Sequence, residues 1–155
     1  MKLYLSSDHA GVELKAALVE HLRARPELEL IDLGPHSSER VDYPAQAWRL
    51  AEAVAQANTP TEGEALGLLI CGTGIGVSMA ANKHPQIRAA LAHNAYTAEM
   101  ARVHNDAQVL CLGARVVGLG VAISAVEAFL GARFGGGRHA TRVAQLSALS
   151  SPQAP

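Results

Sequence analysis

Short apolar runs recur along the chain at Lys2 to Ser6, Glu29 to Leu33, Ala65 to Ile70, Ile87 to Ala92 and Gln108 to Leu112, and segments with helical spacing fill the gaps. Strand-length runs alternating with helix-length segments are the pattern of a parallel sheet covered by helices on both faces. The fold class predicted is α/β, a Rossmann-like three-layer αβα sandwich with a five-stranded parallel sheet. In the first helix, Val12 to Arg25, residues Leu14, Leu18 and Leu22 form one stripe while Lys15, Glu20 and Arg23 lie off it, and the helix stops before Pro26. Asp42-Tyr43-Pro44 has the pattern of an N-cap with an early helical proline, opening a helix that reaches about Gln56. A polar loop follows over Asn58 to Glu64. Further helices are expected over Val77 to Lys83, Gly118 to Arg133 and Arg138 to Leu149, the last two separated by Gly135-Gly136-Gly137. Residues 1–149 read as one domain and 150–155 as a flexible C-terminal tail.

With 155 residues, 49% of them hydrophobic, the chain can bury one substantial core but not two. A formal net charge of -1 and the lack of any Lys/Arg run argue against nucleic acid or an anionic membrane as partner. No apolar stretch is long enough to span a bilayer, and Asp8 arrives before a signal-peptide core could form, so a cytoplasmic protein is expected. The two cysteines, Cys71 and Cys111, each lie at or in a predicted strand, which suits a reducing compartment better than a disulfide framework. No Cys/His spacing resembles a zinc site, and no metal is expected.

Open parallel sheets bind ligands beyond the carboxyl ends of their strands. Here those exits fall at Asp8-His9, near Ser37 to Tyr43, at Cys71, at His93 and at Arg115. The third is the most informative, because Cys71-Gly72-Thr73-Gly74-Ile75-Gly76 joins an apolar strand to a helix. Glycines let the backbone approach a ligand closely, and the amides of Gly74, Ile75, Gly76 and Val77 would point out of the helix start, where they can hold negative charge. A turn of this kind can also activate a thiol. The alternative is a glycine-rich turn around a buried structural cysteine. Capping or solvated roles are the alternatives for Asp8 and His9, and His93 receives no assigned role.

Two groups fall on the opposite edge. His104-Asn105-Asp106 immediately precedes the fifth strand, and Arg138 follows a helix that returns the chain to that end. Arg138 and Arg142 are four residues apart and share one helix face. Positive charge in a first helical turn opposes the macrodipole by about 0.3 to 1 kcal/mol per residue. That placement makes sense if the two guanidiniums, with His139, bind a ligand's phosphate, the alternative being a solvated basic turn. Neither group can easily reach Cys71 within one subunit.

Taken in order, Ser7-Asp8-His9-Ala10-Gly11, Ser38 to Pro44, Cys71 to Gly76, Ala81-Asn82-Lys83, His104-Asn105-Asp106, Gly113 to Gly118 and Gly136-Gly137-Arg138-His139 resemble type B ribose-5-phosphate isomerase, of the ribose/galactose phosphate isomerase family, over nearly the whole chain. The resemblance implies an aldose-ketose isomerase of the pentose phosphate pathway. It would interconvert ribose 5-phosphate and ribulose 5-phosphate through an enediolate, without metal or organic cofactor. Cys71 would be the base moving a proton between C1 and C2, with the turn amides acting as an oxyanion hole. His104 would open the furanose ring and Asp8 would help manage the ring oxygen's proton. The backbone of Gly72, Gly74, Ile75 and Gly76 would hold substrate oxygens, Thr73 and Tyr43 would line the site, and Asn105 would hold sugar oxygens. His9, Arg115, Arg138, His139 and Arg142 resemble the phosphate ligands. Some family members place a carboxylate base in the glycine loop; Ile75 stands there here, which puts the chain in the thiol branch. Cys111 reads as a small buried hydrophobe.

Galactose-6-phosphate isomerase subunits share the fold, but each resembles only part of this pattern. A self-sufficient homodimer with shared active sites is therefore implied, with pairing into tetramers left open. Allose 6-phosphate or a related aldose phosphate is a rival substrate, and a non-catalytic sugar-phosphate sensor would leave Cys71 and His104 without a role. A dinucleotide fingerprint would need glycine or alanine at Val77, and a Walker A motif would need Gly-Lys-Ser/Thr, which is absent.

Overall fold

A computed structural model describes residues 1–58 and 64–149; the expected tail at 150–155, and all but the ends of the expected loop from Asn58 to Glu64, lie outside them. The strands are β1 (Lys2–Ser7), β2 (Glu29–Asp32), β3 (Ala65–Cys71), β4 (Ala89–Leu91) and β5 (Val109–Gly113). The helices are α1 (Val12–Leu22), α2 (Tyr43–Ala57), α3 (Ile75–Ala81), α4 (Ala95–Asn105), α5 (Leu119–Gly131) and α6 (Arg138–Leu149). All strands pair in parallel in the order β2-β1-β3-β5-β4. Every residue of β3 is buried, as its unbroken apolar run requires of a central strand. One sheet face packs Leu3, Leu5, Leu68 and Leu110 against Leu18, Leu22, Ala101 and Phe129 of α1, α4 and α5. The other packs Leu69, Cys71, Val109 and Cys111 against Ala47, Leu50, Val54 and Val77 of α2 and α3. The predicted three-layer α/β sandwich is thus the observed one.

The differences in detail have local causes. Helix α1 ends at Leu22, three residues early, where the Arg23 amide bonds back to Val19 and a turn at Arg25 precedes Pro26. Lys15, expected on the polar side of α1, is instead 2% exposed. Its ammonium pairs with the Asp32 carboxylate and donates to the Pro35 carbonyl oxygen at 2.9 Å, so a buried charge is offset by a partner at the end of β2. Asp42 occupies the N-cap position of α2, but its side chain makes no capping bond, and Pro44 alone marks the start. Asn58 closes the loop before β3 by bonding both the amide and the carbonyl of Ala65, at 2.9 and 2.7 Å.

The chain runs from β1 outward to β2 and then returns to the other side of β1 at β3. The carboxyl ends of β1 and β3 therefore flank a topological switch point, the place where open α/β sheets form a crevice. Helix α6 lies outside the layers and buries none of its residues.

Candidate active site

Asp8 and Cys71 leave adjacent strands at that switch point. The Asp8 amide donates to the Ile70 carbonyl at 3.0 Å, and a Cβ on Gly11 would lie 2.6 Å from the same oxygen, so the turn after β1 is pressed against the end of β3. Asp8 is 8% exposed, and its Oδ1 accepts from the amides of Ala10 and Gly11 at 2.9 and 3.2 Å. One carboxylate oxygen thus caps a short 3-10 turn over His9–Gly11. The His9 ring holds the Val41 carbonyl oxygen at 3.3 Å through Nδ1, bringing the segment before α2 to the same edge.

Around Cys71 the turn is tightly built. The thiol is 5% exposed, and Sγ accepts from the Gly74 amide at 3.0 Å. Thr73 Oγ1 accepts from the Ile75 amide at 3.3 Å. Of the four amides expected to face a ligand, those of Gly74 and Ile75 are therefore engaged by the turn itself. Helix α3 begins at Ile75 rather than Val77, so the amides of Gly76 and Val77 lie in its first turn, where helices have no internal acceptors. The Tyr43 ring lies against Gly76, whose Cβ would stand 2.7 Å from the phenol carbon Cζ. Arg115 donates its amide to the Gly72 carbonyl at 3.0 Å, and its guanidinium lies beside Gly72. Asp8, His9, Tyr43, Cys71, Thr73 and Arg115 are brought to one edge of the sheet.

Gly74 has φ +79°, and a Cβ there would fall 2.5 Å from Leu91 Cδ1 and 2.9 Å from the Leu112 carbonyl carbon. Gly74→Ala should therefore destabilise the protein by about 1 to 3 kcal/mol, lowering Tm by roughly 2 to 4 °C for each kcal/mol. Thermal denaturation checks this; an unchanged Tm would mean that the turn is not held as described.

The second group collects at the opposite end. His104 near the end of α4 stacks on His139 of α6, ring centroids 4.3 Å apart and planes 10° from parallel. The Gly135 amide reaches back to the Val103 carbonyl at 2.9 Å and fixes the approach to α6. Partial burial, then the charges of His104, Arg138 and Arg142, hold the His139 pKa below its usual value and favour its neutral form. Asn105 is exposed at the end of α4, and Arg138 and Arg142 are exposed on α6. Between this cluster and the Cys71 turn runs the length of β5, five residues or roughly 17 Å at ~3.3 Å per residue. One chain does not bring the two groups together.

His93 is exposed, at the end of β4. Cys111 is fully buried beside β3, and burial first, then Cys71, pushes its thiol pKa far up, which makes it inert. Among the described residues, no cluster of three or more His, Cys, Asp or Glu could hold a metal. Sequence reasoning missed Arg88 and Arg102, which grip Asp106; a carboxylate at a helix end two residues from a candidate histidine was the available signal.

Comparison with known proteins bears on the fold and the family. Residues 3–146 match the family described as Ribose/Galactose Isomerase. The chain is 47% identical over 148 residues to ribose-5-phosphate isomerase B of Escherichia coli, covering 96% of this chain and 95% of that protein. The structure of Clostridium thermocellum ribose-5-phosphate isomerase B superposes with a TM-score of 0.89 at 48% identity, covering 96% of this chain and 97% of the other. That of the Mycoplasma genitalium enzyme with bound ribulose-5-phosphate gives 0.89 at 40% identity, covering 96% and 95%. With a central thiol turn, a five-stranded parallel sheet and sequence matches along nearly its full length, the chain belongs to the ribose/galactose isomerase family.

Proposed function

We propose that this protein interconverts ribose 5-phosphate and ribulose 5-phosphate, using Cys71 as base, at sites shared between two copies of the chain. The observation that carries the reading is the thiol at the switch point, held by the Gly74 amide in a turn against which Tyr43 and Arg115 pack at Gly76 and Gly72, with Asp8 at the end of the adjacent strand. Open-chain ribose 5-phosphate gives its C2 proton to the Cys71 sulfur. The C2–H electron pair becomes the C1–C2 double bond, and the carbonyl electrons move onto O1, giving an enediolate. Transfer of the O2 hydroxyl proton to O1, return of the abstracted proton from the Cys71 sulfur to C1 and reformation of the carbonyl at C2 yield ribulose 5-phosphate, with the thiolate restored. The Gly76 and Val77 amides, with Thr73, offset charge on the enediolate oxygens. The Asp8 carboxylate oxygen not used for capping, with His104 from the partner, moves the ring oxygen's proton. Asn105, His9, Arg115, Arg138, His139 and Arg142 hold sugar and phosphate oxygens.

Two features support a shared site. The His104 and Arg138 cluster stands a strand's length from Cys71 in its own chain, whereas a twofold axis would bring it to the partner's thiol. Tyr43, Trp48, Ile75 and Met79 also form an apolar face along α2 and α3, each more than two-fifths exposed. Helix α6, which buries none of its residues and bears Leu146 and Leu149 beyond its arginines, is suited to cover that face in a second copy. Among the described residues no helix is long and apolar enough to cross a membrane. Two free thiols fit a reducing cytoplasm.

Steady-state assays on ribose 5-phosphate and allose 6-phosphate test the substrate; turnover confined to allose 6-phosphate, or none on either, would overturn the proposal. Ribulose 5-phosphate carries its phosphate on O5, so its C2 carbonyl has no hydroxyl with which to close a furanose. Solvent deuterium wash-in at its C1 therefore reports proton transfer without ring opening. His104→Asn is expected to slow consumption of ribose 5-phosphate by about 10²-fold or more while largely sparing that exchange. An equal loss in both measurements would remove the ring-opening role.

A further inference from the structure

Several hydrogen bonds from one side chain converge on the turn that carries His104 and Asn105. Arg88 Nε donates to the carbonyl oxygens of Asn105 and Asp106, at 2.9 and 3.1 Å. Its Nη2 donates to the Asp106 carbonyl at 2.8 Å and to Asp106 Oδ2 at 2.9 Å. The other carboxylate oxygen, Oδ1, accepts from Arg102 Nη1 at 3.0 Å, and the same nitrogen donates to the Ala107 carbonyl at 2.9 Å. Arg102, 4% exposed, is in turn paired with Glu64.

The turn needs such support. Asp106 is a non-glycine residue at φ 46°, ψ 45°, a left-handed conformation that persists only where the surroundings impose it. Arg88 is itself held from two directions. Its amide donates to Gln108 Oε1 at 2.9 Å, and the Gln108 amide returns to the Arg88 carbonyl at 3.0 Å. The Asn82 side chain bonds both the amide and the carbonyl of the next residue, Ala89, at 2.9 and 2.8 Å, and also the Ser78 carbonyl at 2.9 Å. Asn82 therefore ties the base of Arg88 to the end of α3, the helix that starts at the thiol turn.

We propose that Arg88 is a positioning residue for the ring-opening half of the site. It fixes the carbonyls of Asn105 and Asp106, and so the end of α4 from which His104 and Asn105 are presented to the partner's thiol. This rests on the shared-site isomerase reading above. Arg88 touches backbone and the Asp106 carboxylate, so its loss acts through His104 and Asn105. Because the thiol turn is left intact and Asn105 contributes to binding rather than to proton transfer, exchange on the open substrate, measured at saturating ribulose 5-phosphate, should survive.

The test is the ratio of two rates in the full-length protein: consumption of ribose 5-phosphate, and deuterium wash-in at C1 of ribulose 5-phosphate. Since a misplacement of about 1 Å can cost up to about 10²-fold, Arg88→Gln is expected to lower the first by about 10- to 100-fold and the second by no more than about threefold. Arg88→Lys, which keeps the charge but cannot span both carbonyls, should recover part of the first rate. If Arg88→Gln fails to fold, Asp106→Asn decides by the same ratio, because asparagine tolerates the left-handed conformation while losing the charge held by both arginines. An equal fall in both rates, or no change in either, overturns the positioning role while leaving the isomerase reading intact. A wild-type protein silent in both assays sinks the isomerase reading and this proposal together.

Discussion

Cys71→Ala is expected to lower turnover of ribose 5-phosphate at saturating substrate by about 10²- to 10⁴-fold, the usual cost of losing a general base. The fold should survive, because the removed sulfur accepts one bond, from the Gly74 amide, and lies at the rim of the core. Cys111→Ala is the matched control. It deletes a sulfur from the same sheet face, should cost about 1 kcal/mol of stability and should leave turnover near normal. A Cys71→Ala protein that kept wild-type kcat with a native circular dichroism spectrum would show that another group takes the proton.

The second large effect is a recovery. Arg138→Ala/Arg142→Ala removes two guanidiniums assigned to the phosphate and should cost about 3 kcal/mol or more, some 10²-fold in kcat/KM. Mixed with Cys71→Ala protein under conditions that allow subunit exchange, it should regain activity. A heterodimer then carries one site with both defects and one site with neither. Random exchange makes half of the dimers mixed, so recovery should approach about a quarter of wild-type activity. Heterodimers verified by differential tags that stay inactive would refute the shared site.

How much of this was legible in the sequence follows from what each kind of pattern encodes. Apolar periodicity reports which face of an element is buried, and it placed five parallel strands and every helix except α4, which received no bounds, within a few residues of where they lie. A strand exit is a position in that same pattern, so Asp8, Cys71 and Arg115 could be assigned to one sheet edge and His104 and Arg138 to the other. Pairings between residues far apart in sequence leave no periodic trace. Lys15 breaks the pattern of α1, yet it is buried because Asp32 and the Pro35 carbonyl meet its ammonium. Arg88 falls inside the strand-like run Ile87 to Ala92 but just ahead of the strand itself, and its contacts are with two carbonyl oxygens that carry no side-chain signature. Asp8 shows the same limit differently: one of its oxygens is a helix-type cap, and residue identity alone does not reveal which oxygen is engaged in it.

The strand order also bears on synthesis at the ribosome. Thr73 and Gly74 pack against the backbone of Leu112 and Gly113, so closely that a Cβ on Gly113 would stand 2.6 Å from Thr73 carbonyl atoms. The wall that shapes the thiol turn is therefore the end of β5, the last strand of the sheet to be made, inserted between β3 and the earlier β4. While β4 and α4 are still emerging, the Cys71 segment lacks the strand that pairs with it on that side. A nascent chain stalled before Gly113 is expected to be alkylated at Cys71 faster than the finished protein, and alkylation of arrested chains of increasing length would record the moment at which β5 closes over the turn.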